Sequence, residues 1–212
     1  MRPLAILGGT FDPVHIGHLN AAWEAAEVLG ADVRLMPASV PPHRPPPVAT
    51  AAQRVAMLRA ALAGQSRLSL DARELERAGP SYTVDTLAAL RAEVGARPLV
   101  LLVGEDAFAG LASWHRWQAL FELAHVGVLT RPGTALAWPA ALHEATQARL
   151  VPPAALADSA AGQVAAVPIT PLEISATHVR ELLAEGRVPR YLLPAGLLAD
   201  EALLAPYRHR VA

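Results

Sequence analysis

The stretch Gly8-Gly9-Thr10-Phe11-Asp12-Pro13-Val14-His15-Ile16-Gly17-His18 decides how the chain is read. It follows the apolar run Leu4-Ala5-Ile6-Leu7 and precedes Leu19, Ala22, Trp23, Ala26 and Leu29, which fall on one face at helical spacing. The order is therefore strand, glycine turn, two histidines, helix. Glycines at a strand end let the backbone come close to a ligand, because no side chain stands between. His18 falls where a helix opens, and there unpaired N–H groups and the helix dipole favour an anion. A tight turn with two incidental histidines is the plain alternative. Two imidazoles and several turn residues gathered at one strand end favour phosphate chemistry instead.

Outward from this segment, strand-like and helix-like stretches alternate. Strands are expected at Leu4–Leu7, Val33–Met36, Arg67–Leu70, Leu99–Val103, Val126–Leu129 and Val164–Val167, with the very apolar Leu99–Val103 as a central one. Helices are expected over Leu19–Leu29, stopped near Gly30, and around Val55, Leu58 and Leu62. Two more are marked by Val84, Leu87, Leu90 and Val94, with Thr83 or Ser81 as cap, and by Val179, Leu182 and Leu183, ending at Gly186. A short helical region is expected across Ala107–Leu123. Pro37 to Pro47 is too proline-rich for regular structure. Ala135–Ala161 carries little pattern and is expected as a helix with loops. Such alternation predicts one α/β domain over residues 1–212, built on a doubly wound parallel sheet. Ligands of such sheets sit beyond the carboxyl ends of the strands. The candidate residues fall there: after the first strand, after the second, after Val103 and at the start of the last helix.

Composition narrows the chemistry. The 212 residues are 53% apolar with a formal charge of −1, which fits a globular protein and suggests neither a nucleic-acid partner nor a membrane span. There is no cysteine, so thiolate nucleophiles and Cys-ligated zinc are excluded. A cytoplasmic location is expected, and a homo-oligomer stays open. All 18 basic residues are arginine. A P-loop and a lysine Schiff base are thereby excluded, and any cationic grip on phosphate must come from Arg, His and backbone N–H groups.

The core His15-Ile16-Gly17-His18 resembles the H-x-G-H signature of the nucleotidyltransferase superfamily. The longer Gly-Gly-Thr-Phe-Asp-Pro-Val-His-Ile-Gly-His is similar to its bacterial nicotinate-nucleotide adenylyltransferase branch. The resemblance runs in five segments from Gly8 to Arg180. It implies a Rossmann-like fold of the H-x-G-H type, with AMP transferred from ATP to nicotinate mononucleotide to give deamido-NAD and pyrophosphate. His18 and His15 are then the catalytic pair, and ATP lies against Gly8, Gly9, Thr10 and Phe11. Other acceptors (nicotinamide mononucleotide or phosphopantetheine) and a catalytically silent nucleotide-binding regulator are the alternatives.

The remaining segments supply the rest of the site. Ile174-Ser175-Ala176-Thr177-His178-Val179-Arg180 resembles the second superfamily signature, and Ser175, Thr177 and Arg180 at a helix start can hold the triphosphate. A capped helix with a surface arginine is the plainer reading of those residues alone. Gly104 permits close approach, and Asp106 can accept from ribose hydroxyls. Pro41-Pro42-His43-Arg44 resembles the branch's Pro-Pro-His-Lys, with a planar guanidinium where the branch has an ammonium. Ser81-Tyr82-Thr83-Val84-Asp85-Thr86-Leu87 resembles the branch's acceptor segment and reads equally as a helix cap. The resemblance assigns His43, Arg44, Tyr82, Thr83, Asp85 and Trp114 to the nicotinate nucleotide, with Trp114 as a stacking face and Trp117 as core. Arg131, at a strand end, is a further contact. Asp12, Asp71 and Asp85 show no convincing metal-ligand spacing, so Mg²⁺ is expected to be held mainly by ATP phosphates.

Overall fold

In the computed structural model residues 1–39, 46–77, 81–133, 142–143 and 146–208 are described. His43 and Arg44 lie outside them. Six strands, β1 (Leu4–Gly9), β2 (Asp32–Pro37), β3 (Leu68–Leu70), β4 (Leu99–Gly104), β5 (His125–Thr130) and β6 (Val164–Pro168), form one sheet. Every pairing is parallel and the order is β3-β2-β1-β4-β5-β6. This is the doubly wound arrangement expected from the alternation, with β1 and β4 as the central pair.

Side chains alternate across a strand, so each strand feeds two cores. Ala5, Leu7, Val33, Leu35, Val100, Leu102, Ala165 and Val167 face one cluster. Leu4, Ile6, Leu99, Leu101, Val103, Val126 and Val128 face the other. Helices α1 (Ile16–Val28) and α2 (Ala51–Leu62) cover the first face; α3 (Arg73–Glu76) precedes α4 (Thr83–Val94), which covers the second with α5 (Glu105–Ala109) and α6 (Leu120–Leu123). The chain returns to the first face in α7 (Ala176–Ala184), α8 (Ala195–Leu198) and α9 (Glu201–Arg208).

Several local expectations need correction. Helix α1 begins three residues earlier than its apolar pattern, with His15 as N-cap. Its buried face is Ala22, Ala25 and Ala26, whose small side chains sit directly on the sheet, while Trp23 is 36% exposed. Neither Ser81 nor Thr83 caps α4; Tyr82 holds the cap position without a side-chain bond, and the Ser81 hydroxyl instead donates to the Glu74 carbonyl. The helical region expected over 107–123 is instead α5, two 3₁₀ turns and α6; the path turns at Gly110, runs extended at Trp114 and is left-handed at Arg116 (φ 51°). Helices α3, α8 and α9 carried no readable pattern: α3 and α8 are four residues long and α9 contains Pro206. Among the described residues no helix is long and apolar enough to cross a membrane.

Candidate active site

The site begins where two strands part. Pairing of β1 with β4 ends at Leu7 opposite Leu102, so Gly8-Gly9 and Val103-Gly104 run on without each other. Strand order reverses at this pair, and a crevice opens at such a point. Helices α1, α4, α5 and α7 all start at this carboxyl edge, because in each case the chain enters the helix after leaving a parallel strand.

His15 and His18 sit at the head of α1, one turn apart. Their rings stack with centroids 3.6 Å apart and 23° between planes. The His15 backbone N–H donates to His18 Nδ1 at 3.3 Å. With Nδ1 accepting, the proton of the neutral His18 ring is on Nε2. Glycine at 17 leaves room for this stack: a Cβ there would lie 3.2 Å from two atoms of the His15 ring, a contact the ring would have to give way to by a few tenths of an ångström. Phe11 is buried and meets His18 edge-on at 4.9 Å, and it lies so close over Gly9 that a Cβ there would fall 2.9 Å from its ring.

Burial sets the charge of the pair. It lowers the His15 pKa from 6.5 to about 4. It lowers that of His18 to about 3, with the neighbouring His15 adding to the effect. Both rings are therefore neutral in the free protein at neutral pH. His15 is 5% exposed, yet among the described residues its Nδ1 has no hydrogen-bond partner. A buried polar atom left so costs about 1–3 kcal/mol, a cost that a ligand can remove.

The second signature converges on the same place. A cleft of about 530 Å³ is lined by Gly9, Thr10, Phe11, Asp12, His15, His18, Thr177 and Arg180, with Pro46, Pro47, Val48 and Ala176 at its sides. Ser175 caps α7, its hydroxyl accepting from the His178 N–H at 3.1 Å. Arg180 is held on both sides: Nη1 donates to the Asp12 carbonyl at 2.7 Å and Nη2 to Thr177 Oγ1 at 3.1 Å. The two segments that the sequence reading assigned to ATP thus line one cleft. Gly8 lies on β1 just before this lining.

A second cleft of about 530 Å³ opens at the ends of β4 and β5, lined by Gly104, Glu105, Asp106, Ala107 and Arg131. Near the head of α4, Tyr82 is 39% exposed and packs on His115 with ring centroids 4.3 Å apart. Thr83 is the first residue of α4 and Asp85 lies in its first turn. Trp114 is half-buried against the second core rather than a free indole, and Trp117, also half-buried, meets Phe121 edge-on at 6.3 Å.

Sequence reasoning missed four contributors. Asp12, weighed only as a metal ligand, is 5% exposed and takes bonds from Val48 N–H (2.8 Å), Ala49 N–H (3.0 Å) and the Tyr207 hydroxyl (2.7 Å). Arg54 is 2% exposed and donates to the Thr10 and Ala38 carbonyls at 2.8 and 2.9 Å. A charged residue on the same helical stripe as Leu58, Ala61 and Leu62 was the readable signal for Arg54. Tyr207 and His115 had none. Asp71 is bound up with Arg73 and Arg34, and among the described residues no three His, Asp or Glu side chains gather to hold a metal.

Comparison with known proteins adds an independent line. The family model described as cytidylyltransferase-like matches residues 6–182. A Pseudomonas syringae protein named "Probable nicotinate-nucleotide adenylyltransferase" is 50% identical over 200 residues, covering 93% of this chain and 90% of the relative. A relative of the same name from Pseudomonas aeruginosa is 47% identical over 199 residues, covering 93% of each. Among solved structures, nicotinic acid mononucleotide adenylyltransferase from Plasmodium falciparum, complexed with NaAD, superposes with a TM-score of 0.67 at 12% identity over 96% of this chain and 98% of that one. At that identity the likeness speaks for the fold.

Proposed function

The chain belongs to the cytidylyltransferase-like family and, within it, to the nicotinate-nucleotide adenylyltransferases, and from that premise we propose that it transfers AMP from ATP to nicotinate mononucleotide. The products are deamido-NAD and pyrophosphate, a step of NAD biosynthesis. The observation that carries the reading is the neutral, stacked histidine pair sharing one cleft with Thr177 and Arg180.

The reaction needs no covalent enzyme intermediate. A phosphate oxygen of the mononucleotide attacks the α-phosphorus of ATP in line, and pyrophosphate leaves from the opposite side. Such a transfer depends on positioning and on stabilising charge more than on acid–base work. His18 offers its Nε2–H to the α-phosphate oxygens. An anion there opposes the desolvation that keeps the ring neutral, so the donor strengthens as negative charge grows. His15, stacked behind it, fixes its plane. Arg180, with Thr177 and the head of α7, takes the triphosphate tail. Thr10, Phe11, Gly8 and Gly9 form the floor, and Gly104 and Asp106 take the nucleoside end.

The acceptor lies at the head of α4 and the Trp114 turn, with Arg131, His43 and Arg44 as further contacts. Tyr82 lends α4 no side-chain cap. The Thr83 and Val84 N–H groups, which precede the first helical bonds at Asp85 and Thr86, are thus available to a nicotinate carboxylate. Among the described residues no cluster offers Mg²⁺ a protein cage, and the Asp12 carboxylate is already bonded by three donors. The cation is assigned to the phosphates of ATP and to water. A cytoplasmic location goes with this reading.

The test is pyrophosphate release from ATP alone and then with nicotinate mononucleotide, nicotinamide mononucleotide and phosphopantetheine. Release with the first acceptor only is the expected result. Release with a different acceptor changes the substrate, and ATP binding without release would make the chain a regulator.

A further inference from the structure

We propose that Tyr207, on the last described helix, is a positioning residue for the catalytic cleft, acting through Asp12 on Arg180. Tyr207 lies 195 residues from Asp12, yet its hydroxyl donates to Asp12 Oδ1 at 2.7 Å. Both are buried, at 3% and 5% exposed. Asp12 is a junction of four segments. Its carboxylate is held by Tyr207 of α9 and by the Val48 and Ala49 N–H groups that lead into α2. Its own carbonyl accepts from Arg180 of α7 at 2.7 Å. The fourth segment is the glycine loop that carries Asp12.

The direction of the grip matters. Asp12 lies between the glycine turn and His15, and Thr10, Phe11 and Asp12 all line the cleft. Anything that lets this loop drift moves the carbonyl that aims Arg180. Arg54 ties the loop a second time, at Thr10, from inside α2. Two ties from two helices hold one short loop, Arg54 at the Thr10 carbonyl and Tyr207 at the Asp12 carboxylate, while the face of that loop toward the cleft is left open. Burial first, and then the Asp12 carboxylate, push the Tyr207 hydroxyl well above the ordinary phenol range. It stays a donor at any working pH.

The test is Tyr207→Phe, which keeps the ring among its core neighbours and removes only the hydroxyl. If Tyr207 acts on Arg180, kcat/KM for ATP falls about ten- to hundredfold while KM for the acceptor moves less than about threefold. In an Arg180→Ala background the same change costs less than about threefold, since residues acting through one contact are not additive. A merely structural hydroxyl would lower the melting temperature and leave ATP kinetics of the folded enzyme at 25 °C within threefold of the parent. That result, or an undiminished cost in the Arg180→Ala background, overturns the proposal. The kinetic readout rests on the adenylyltransferase reading, so affinity for a non-hydrolysable ATP analogue is measured on the same variants by calorimetry. If the parent turns over no acceptor, that reading fails while the analogue still reports the grip. Should Tyr207→Phe not fold, Asp12→Asn weakens the same bond from the loop side, because a neutral amide is a poorer acceptor than a carboxylate. Unchanged analogue affinity there also overturns the proposal.

Discussion

The sheet has two ends, and each holds buried histidine and half-buried or buried arginine. At the amino end, His125 Nε2 donates to the Ser159 carbonyl at 2.8 Å and Nδ1 accepts from the Gln163 N–H at 3.0 Å. Beside it Arg91 donates to the carbonyls of Gly95, Arg97, Leu123 and Ala160 at 2.6–3.0 Å. Every ring nitrogen is used, and the guanidinium is spread over four backbone oxygens. At the carboxyl end the same residue types are arranged otherwise. Among the described residues His15 Nδ1 has no partner, and His18 takes one bond, from the His15 backbone. The difference teaches how to tell a structural polar group from a functional one within one fold. The contrast holds for the histidines: at the amino end the protein completes the bonds of the ring itself, and at the carboxyl end the proposed reading gives the open ring nitrogens to the ligand.

The sharpest way to break this contrast is at His18. His18→Ala should lower kcat by about two to three powers of ten, as removal of one preorganised donor to a developing charge does. Thermal stability should change little, because the ring contributes few bonds to the fold. Steady-state turnover and a melting curve of the variant decide this. A folded variant with kcat within a few-fold of the parent would return His18 to the structural class.

Next comes acceptor choice. An uncapped helix head offers N–H donors that suit a carboxylate and leave an amide NH₂ facing other donors. Nicotinate mononucleotide should therefore be preferred over nicotinamide mononucleotide by about a hundredfold in kcat/KM, since buried polar groups left unpaired are penalised. Trp114→Ala should weaken both acceptors and leave their ratio nearly unchanged. Near-equal kcat/KM values for the two would remove the head of α4 from acid recognition.

Much of the carboxyl end was legible in the sequence, and the reason is local. His15, Gly17 and His18 lie within four residues, so their spacing shows a turn and a helix head, whereas the stack between the rings was not read from it. Ser175, Thr177 and Arg180 are legible in the same way. That both segments meet at the carboxyl ends of the strands was expected from the alternation; what could not be read was the bond that joins them, Arg180 reaching the Asp12 carbonyl across 168 residues. The strand order likewise follows from crossovers, not from any strand's own composition. Trp23 was misplaced for the converse reason: its helical phase is right, but alanines at 22, 25 and 26 set α1 so near the sheet that the indole remains at the edge. The whole amino-end network of Arg91 and His125 was invisible, since its acceptors are carbonyls, and every residue has one.

Arg91 tests the other half of the comparison. Arg91→Ala leaves several carbonyls at the amino end without their donor. The expected loss is about 2 kcal/mol of unfolding free energy, in the range for bonds to a charged group or for buried acceptors left bare. Turnover of the folded variant at 25 °C should stay within about twofold of the parent. Urea denaturation beside a steady-state assay separates the two. A large kcat defect without a stability loss would contradict the division of labour between the two ends.

The smallest effect expected is in the acid response. A histidine buried in its neutral form takes up a proton only when the chain unfolds, so over the intervening range the unfolded state binds more protons. Stability then rises with pH and is lost as pH falls from about 6.5 toward the folded pKa. For His15 and His18 that range extends down to about 4 and about 3. Each should withdraw about 1 kcal/mol between pH 7 and 5.5, where the unfolded imidazole becomes mostly charged and the folded one does not. Burial also lowers the pKa of His125, so the amino end has the same sign of response. A ligand should tell the ends apart. With the phosphate of ATP beside His18, as proposed, the charged ring is favoured, so the carboxyl-end share of the acid sensitivity should shrink when stability is measured with saturating ATP. His125 is satisfied by the protein and does not meet the ligand, so its share should persist. Urea unfolding at pH 7 and 5.5, with and without ATP, for the parent and for His18→Ala, measures both shares. If ATP leaves the slope of the parent unchanged, the phosphate does not sit at the histidine pair, and the two ends of the sheet are not distinguished in the way proposed.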